Sequence, residues 1–471
     1  MKILRVMTCV LFFSIIMVPV LLFNFEEGVI SEIDNRELAQ NPFLKEKEGE
    51  EDLTQNIENY ISDRIGLRDE MILAYTVLND RIWGEMVHPS YIYGEDGYIF
   101  GAGLTVYPCY DDYHEVFANM VEQVQKYCTE RDVPFLFVFN PAKPAVLTSH
   151  LPKGMNYDRS WVDLFLEALD DRGVRYIDNT ELLQEKVKEG QVVFNQKYDA
   201  NHWNDLGALY GSNNILETLK KDIKEIHICD MEEDVVMSEN LQTTLLASKF
   251  PIHEMVPQVS LNMDVMDITE KYREELVINP SFPSFQYYIN SKRKKEGAPR
   301  ALVFQGSYMN GLGTKYLQNG FGEYISVHDY QNIINFPYYF NIFKPECVVF
   351  EVAEYTFTDA YFNFERMDAI RFNPELRNAM DLGDEYFQNL ELGQNEIAIE
   401  KEKVLTKVVW TEVNNRVAFG WLRLGGSIVS DFMWGESGYE TTILTEEYER
   451  YVNEMEIITA EEDGFCTVYS L

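Results

Sequence analysis

Arg300-Ala301-Leu302-Val303-Phe304-Gln305 is a short run rich in strand formers, and Gly306-Ser307-Tyr308 follows it directly. A glycine immediately before a serine permits a sharp turn that presents the hydroxyl, and the serine's own N–H, beyond the carboxyl end of a strand. A helix-like segment begins at Met309, so the stretch reads as strand, turn, helix. It is not the G-x-S-x-G elbow of the α/β-hydrolases, and a lone Gly-Ser after a strand is an ordinary turn in most proteins.

What gives the serine meaning is an earlier block, Tyr198-Asp199-Ala200-Asn201-His202-Trp203-Asn204-Asp205-Leu206-Gly207-Ala208. An Asp three residues before a His sits on one side of the imidazole and orients it, and a distant Ser then completes a candidate Ser-His-Asp triad of Ser307, His202 and Asp199. Trp203, Leu206, Leu209, Tyr210 and Ile215 recur at helical spacing, which predicts a helix running from His202 with Asn201 as its N-cap. On that reading His202 rides the first helical turn, where the positive dipole end keeps the ring neutral, as a general base requires. The plain structural alternative is that Asp199 and Asn201 only cap a helix and His202 is a polar surface residue.

Outward from these two stretches the chain alternates strand and helix. His114 to Arg131 carries Phe117, Met120, Val121, Val124 and Cys128 on one face, and Val133 to Phe139 is a fully apolar run suited to a buried parallel strand. Trp161 to Asp171 is helical, Val174 to Ile177 a strand, Asn179 to Glu189 a helix, and Tyr324 to Val327 and Cys347 to Val352 continue the series. Such alternation predicts an α/β fold, a three-layer α/β/α domain around a parallel sheet, with sites gathered beyond the strand carboxyl ends. Asn140, Lys143, Asp199, His202 and Ser307 all fall at such ends. Between His227 and Lys295 the chain turns acidic and less periodic, an excursion read as a lid or hairpin pair over an acceptor groove. Beyond about Asn373, short β-type runs such as Val404 to Val413 and Val417 to Leu424 predict a small C-terminal β-sandwich. Trp410, Trp421 and Trp434 there are candidates for stacking on sugar rings, although aromatics in a sandwich are commonly core.

The amino terminus is apolar from Val6 to Phe25, long enough to cross a bilayer, with Lys2 and Arg5 before it and Glu26, Glu27, Glu32 and Asp34 after it. This predicts a single-pass anchor with its N-terminus cytoplasmic and the body outside, and the absence of a small-x-small site near Leu21 to Phe25 favours retention over a cleaved signal peptide, the alternative. The expected organisation is an anchor over 1–27, a stalk over 28–56, the α/β domain over 57–372 with an insertion at 222–299, and the β-sandwich over 373–471. The 471 residues carry 78 acidic against 40 basic side chains, a formal charge of −38, which argues against nucleic acid or anionic lipid as a partner surface. An apolar fraction of 46% is ample for two or three cores. The six cysteines show no C-x-x-C pair and no clustered His, so neither a disulfide framework, a metal site nor a bound cofactor is expected. Cys128 and Cys347 fall on apolar faces and read as buried thiols.

These pieces together resemble the alginate O-acetyltransferase group of the AlgJ and AlgX type, SGNH-hydrolase-like proteins that acetylate exported polysaccharides. The resemblance covers most of residues 1–355: the anchor, Glu32 to Leu38, Asp63 to Asp69, the Gly94 to Phe100 hairpin, Asn140 to Lys143, the Asp199 to Ala208 block and the Ser307 turn. The order Asp, His, Ser along the chain also fits. Departures are specific: the spacing here is Asp-x-x-His, Asp199 to His202, rather than Asp-x-His, Gln305-Gly306-Ser307 stands for Gly-Asp-Ser or Gly-Thr-Ser, and Glu354-Tyr355 stands for a Glu-Arg pair.

The resemblance implies an acyl-serine mechanism in which Ser307 attacks an acyl carbonyl, His202 takes its proton and Asp199 holds the ring. It implies an oxyanion hole including the Ser307 N–H with Asn140 or Tyr308, and acceptor contacts from Lys143, Tyr308 and Tyr330. It further implies a polysaccharide acceptor and a multi-pass membrane-bound O-acyltransferase partner that passes the acetyl group across the membrane. Two other classes stay open: an extracellular carbohydrate acetylesterase on the same scaffold, and a non-catalytic scaffold that binds polysaccharide.

Overall fold

The structure, a computed structural model, describes every residue except 1, 32, 34–35, 44–52, 106–108, 381–386, 392–396, 412–416, 436–437, 462–465 and 471. Glu32, Asp34 and Asn35 of the expected motif, and the charge run up to Asp52, therefore lie outside the described residues.

A seven-stranded sheet organises the centre. Its strands in chain order are β1 (Phe135–Asn140), β2 (Tyr176–Asp178), β3 (Val265–Asp267), β4 (Phe285–Asn290), β5 (Arg300–Gln305), β6 (Glu323–His328) and β7 (Cys347–Ala353), and their spatial order is β2-β1-β7-β5-β6-β4-β3. From β2 to β6 neighbours run parallel, and β4 and β3 add an antiparallel edge. The central strands read as unbroken apolar runs because both faces are covered: Phe137, Phe139, Phe304 and Phe350 point into one core, Leu136, Val138, Val303 and Val349 into the other. The first core also takes the apolar face of the helix Asp112–Glu130, and the second that of Asp205–Lys220, so helices flank both faces of the sheet.

The antiparallel edge is a correction of emphasis: the acidic excursion is not wholly outside the sheet, because Val265–Asp267 and Phe285–Asn290 join it. Its other part is the hairpin Val235–Thr244 with Pro251–Leu261. That hairpin packs on Asp205–Lys220 and, through Glu254, fastens the loop that leads into Asp199.

At the amino terminus, helix Lys2–Leu21 is long and apolar enough to cross a membrane, and only Pro19 in it is buried. Its exit is knitted into the body. The Gly66 N–H donates to the Pro19 carbonyl (3.0 Å) and the Asn24 N–H to the Arg64 carbonyl (2.8 Å). A Cβ on Gly66 would lie 2.4 Å from Leu22 Cβ, so only glycine allows this approach. Arg36 and Ala39 also join the body here: Arg36 forms a two-bond pair with Asp63 (2.6 and 2.7 Å), and the fully buried Arg64 donates to the Ala39 carbonyl (2.7 Å).

The carboxyl-terminal part forms a five-stranded and a four-stranded sheet. One core takes Leu422 and Ile457 from the first and Val408 and Ile443 from the second, so the two pack face to face. Trp410 and Trp421 are core residues, whereas Trp434 is exposed. The part is fastened to the α/β body through Asp431, whose buried carboxylate receives Arg131 (3.0 Å) and Tyr127, and whose backbone exchanges two 3.0 Å bonds with the Asn341 amide.

Glu323 opens β6 and receives Arg300 Nε (2.9 Å), Lys294 Nζ (2.7 Å) and the Tyr287 hydroxyl. Burial alone would raise its pKa, but these three donors outweigh burial and bring it down to about 2. A carboxylate depressed in this way stabilises the fold above its unfolded pKa of about 4.3, and that contribution is lost as pH falls toward the folded value. We expect Glu323→Ala to cost about 3 kcal/mol at pH 7 by leaving Arg300 unpaired. Denaturant melts at pH 7 and pH 3 check this, since the gap between wild type and variant should narrow at the lower pH.

Candidate active site

Ser307 follows β5 at the carboxyl edge of the sheet, and its side chain is exposed. The hydroxyl lies 3.0 Å from His202 Nε2, and His202 Nδ1 lies 3.1 Å from Asp199 Oδ2 and 3.3 Å from Oδ1. The structure thus brings together the three residues nominated from sequence, across 105 positions of chain between His202 and Ser307. Asp199 Oδ1 also accepts the N–H groups of Asn201 (2.9 Å) and His202 (3.0 Å), which locks the carboxylate against the ring.

The local backbone differs from the expected helix. Helix Asp205–Lys220 starts three residues later, with Asn204 as its N-cap, whose side chain accepts from the N–H groups of Leu206 and Gly207 (3.0 Å each). Asn201 is not a cap, and His202 stands in the turn before the helix rather than in its first turn. The dipole argument therefore fails. Burial disfavours the charged ring, the Asp199 hydrogen bond and charge favour it, and the net direction is upward from the ordinary imidazole value. Asp199 itself is driven up by burial, but His202 and the two backbone donors outweigh this and hold its pKa low.

Gly207, part of the block quoted above, is explained by packing, since a Cβ there would meet the Val193 carbonyl at 2.4 Å. Trp203 is buried and donates Nε1–H to the Tyr308 carbonyl (2.9 Å), tying the histidine turn to the serine turn.

Four further residues were nominated, and the structure gives three of them, Asn140, Lys143 and Tyr308, framework positions. Lys143 is fully buried, and its ammonium donates to the carbonyls of Ile99 (2.7 Å), Asp199 (2.9 Å) and Gln196 (3.4 Å). Three acceptors match the three N–H bonds of an ammonium, which supports the charged form, while burial pulls the pKa down to about 7. It pins the Asp199 loop from below and does not face an acceptor. Asn140 is equally buried, donating to Glu351 Oε1 (2.8 Å) and accepting from Asn179 (2.7 Å), so it braces the sheet edge rather than an oxyanion. The buried Tyr308 hydroxyl donates between the Pro141 and Asn201 carbonyls (2.9 Å each), and the Tyr308 amide plane is held by Trp203. Tyr330 is 6% exposed and stacks on Tyr361 (4.2 Å between centroids). Asn140, Lys143 and Tyr308 are buried with their polar atoms spent on protein partners, whereas the Tyr330 hydroxyl lies against the serine turn, 3.6 Å from where a Cβ on Gly306 would stand.

Sequence reasoning passed over three residues that matter here. Tyr355, just past β7, places its hydroxyl 3.0 Å from Ser307 Oγ and 3.1 Å from His202 Nε2. Glu254, on the hairpin, accepts the N–H groups of Gln196 (2.6 Å), Lys197 (2.8 Å) and Tyr198 (2.6 Å), and so shapes the strand of loop leading into Asp199. Glu351, in the middle of the apolar run of β7, accepts the Gly306 N–H at 2.8 Å. The only signals for these were a carboxylate inside an otherwise apolar strand and a tyrosine in place of an expected arginine. Four cysteines, including Cys128 and Cys347, are buried free thiols, and among the described residues no group of His, Cys, Asp and Glu gathers as a metal cage.

A parallel α/β sheet with an exposed serine, an imidazole and a carboxylate in series at its carboxyl edge defines an SGNH-like domain. In keeping with this, residues 92–271 match the family model described as the SGNH hydrolase-like domain of the acetyltransferase AlgX. The match holds Asp199 and His202 and ends before Ser307. Among solved structures, the chain is similar to Bacillus cereus PatB1 with a sulfonyl adduct, at 17% identity over 57% of this chain and 98% of that one with a TM-score of 0.44. It is similar to the O-acetyltransferase domain of Pseudomonas putida AlgJ at 13% identity, 62% and 99% coverage and a TM-score of 0.38. A DHHW family protein from Eubacterium siraeum follows at 14% identity, 60% and 95% coverage and a TM-score of 0.41. No curated protein sequence matches the chain.

The raised imidazole pKa is open to direct test. We expect the His202 ring to titrate above the ordinary value of about 6.5 and to fall back in Asp199→Asn, which removes the charge and the acceptor. NMR titration of the ring protons reads both, and a His202 pKa unchanged by the substitution would contradict the assignment.

Proposed function

We propose that this protein is a membrane-anchored, extracytoplasmic O-acetyltransferase that moves acetyl groups onto hydroxyls of an exported or cell-surface polysaccharide through an acyl-serine intermediate. The single observation that carries the reading is the hydrogen-bonded series Asp199, His202, Ser307 with the serine hydroxyl open to solvent. The family model matched over residues 92–271 supports acetyl transfer as the reaction.

In this mechanism Ser307 Oγ attacks the acyl carbonyl of a donor while its proton passes to His202 Nε2. Asp199 stabilises the imidazolium and fixes the tautomer with Nδ1 protonated. Collapse of the tetrahedral adduct breaks the bond to the donor's leaving group, which takes the proton from His202 and leaves acetyl-Ser307. A sugar hydroxyl then attacks, gives its proton to His202, and the serine oxygen recovers it as the ester moves to the acceptor. Tyr355 has the placement of a catalytic hydrogen-bond donor: a phenol 3.0 Å from Oγ lies close to where the carbonyl oxygen develops charge, alongside the Ser307 N–H.

The anchor reading is supported by the almost wholly exposed apolar surface of Lys2–Leu21 and by the main-chain bonds of Pro19, Asn24 and Gly66, which make the segment's exit part of the fold. An external enzyme of this kind draws its acetyl group from a cytosolic thioester, so a multi-pass membrane O-acyltransferase is the proposed donor partner.

Exposure of the purified protein to an activated acetyl ester, followed by mass spectrometry, should give a single adduct on Ser307 that is absent in Ser307→Ala. A folded wild type that never labels would remove the reading. Tyr355→Phe should still label, with the rate lowered about 10- to 100-fold if the phenol serves the oxyanion. Labelling should weaken as pH falls through the raised His202 pKa, because only the neutral ring accepts the serine proton.

A further inference from the structure

Helix Arg68–Trp83 is turned inside out relative to an ordinary surface helix. Met71, Tyr75, Leu78 and Ile82 recur four, three and four positions apart, which is one face of a helix, and all four are between 42% and 58% exposed. Trp83, its last residue, is 63% exposed. The buried side of the same helix holds polar groups: Thr76 donates its hydroxyl to the Val87 carbonyl (2.8 Å), and the buried Asn79 donates its amide to the Tyr75 carbonyl (2.7 Å). Single exposed apolar residues are ordinary, but a row of them along about 24 Å of helix marks a surface for something apolar.

The row starts where the apolar span ends. Leu67, directly before the helix, has φ 59°, a left-handed conformation that favours glycine or asparagine, and its side chain is exposed as well. Gly66, one residue earlier, is the glycine that packs on Leu22 and donates to the Pro19 carbonyl. Tyr60, on the preceding helix Leu53–Arg64, meets the Phe23 ring at 5.6 Å between centroids, and Phe25 is 75% exposed. Apolar surface therefore passes from the exit of the span, by way of Phe25 and Leu67, to the helix. The charge run from Lys45 to Asp52 offers it no apolar cover from within the chain.

We propose that Arg68–Trp83 lies on the outer surface of the membrane with Met71, Tyr75, Leu78 and Ile82 set into the lipid interface, an assignment that rests on Lys2–Leu21 being the anchor proposed above. Tyrosine and tryptophan, here Tyr75 and Trp83, are the side chains favoured at that depth. The lipid is zwitterionic, because a formal charge of −38 is repelled by an anionic leaflet. The inner side of the helix leads to the active site: Leu73 and Val77 pack against the small core of Tyr91, Ile99, Ala200, Leu245 and Phe250, and Ala200 directly follows Asp199. A single span leaves a body free to turn about it. A second line of contact holds the Asp199 loop, and the serine bonded through it, at one height and orientation over the bilayer.

Spin labels on the full-length protein in phosphatidylcholine vesicles test this. Cys9 and Cys109 are exposed and the other four cysteines are buried, so Cys9→Ser with Cys109→Ser removes the reactive thiols. In that background Met71→Cys, Leu78→Cys and Ile82→Cys each carry one label, with Glu70→Cys and Arg81→Cys, exposed positions off the row, as controls. The expected result is strong relaxation by oxygen, which concentrates in lipid, and weak relaxation by a water-soluble nickel chelate at the three row positions, with the reverse at both controls. A label on Cys9 itself, in Cys109→Ser, reads whether the span is in the bilayer. Row labels open to the chelate while the Cys9 label is immersed would overturn the surface contact and leave the anchor reading standing. A Cys9 label in water would remove the anchor reading and the surface contact with it. Row labels shielded from both reagents would place a second protein chain on the row and overturn the lipid assignment. Should one variant fail to fold, the remaining row positions read the same contrast with the controls.

Discussion

Everything at the sheet edge depends on one main-chain hydrogen bond, from the Gly306 N–H to Glu351 Oε2. A strand that ends in a tight turn leaves its next N–H without a ladder partner, and a buried unpaired N–H is costly. Here the partner comes from the adjacent parallel strand, and the same carboxylate reaches on to Asn140 at the end of the next. Three neighbouring strand ends are thereby tied through one side chain. The serine that follows Gly306 is held at a defined height above the sheet without having to satisfy the backbone itself, and its hydroxyl is left free for the imidazole.

The other half of the site has no strand to stand on. Asp199 and His202 lie on a loop, and a loop holds a catalytic geometry only when its backbone groups are pinned from several sides. Lys143 takes carbonyls from below, Glu254 takes three successive N–H groups from the hairpin side, and the Leu246 N–H takes the Tyr198 carbonyl at 2.7 Å. Trp203 and Tyr308 then couple this loop to the serine turn. The hairpin of the acidic excursion is therefore part of the site's foundation. A cover over an acceptor groove is not needed to explain it.

Tyr355 gives the centre a character of its own. Its hydroxyl meets both Ser307 Oγ and His202 Nε2, so a single phenol joins the serine and the imidazole. An arginine at that position would bring a permanent positive charge and a fork of donors. The tyrosine brings one neutral donor, and burial keeps it in the phenol form. The neighbouring Glu354 is spent on structure, receiving Arg159 (3.0 Å) and the Ala142 N–H (2.9 Å).

The central strands, and the three residues Asp199, His202 and Ser307 that the structure brings within hydrogen-bond reach, could be read from the chain alone. Parallel strands covered on both faces are apolar over most of their length, so Arg300–Gln305 and Cys347–Ala353 announce themselves, and an Asp and a His three apart are within reach of each other along the chain. The amino-terminal apolar helix was legible for the same kind of reason, since a length of apolar residues needs no distant partner to be recognised. Asn201 was the expected cap, and the fold instead uses Asn204, whose N–H also meets the Val193 carbonyl at 3.0 Å. Asn140, Lys143 and Tyr308 looked like site residues because polar groups at strand ends commonly face ligands. Their burial was decided by acceptors up to 211 positions away, and Glu351 and Tyr355 acquired their places by the same long-range closure. A hydrogen bond between neighbours in sequence follows from local geometry, whereas one between distant segments exists only after the core has brought them together, and most of this site is built from the second kind.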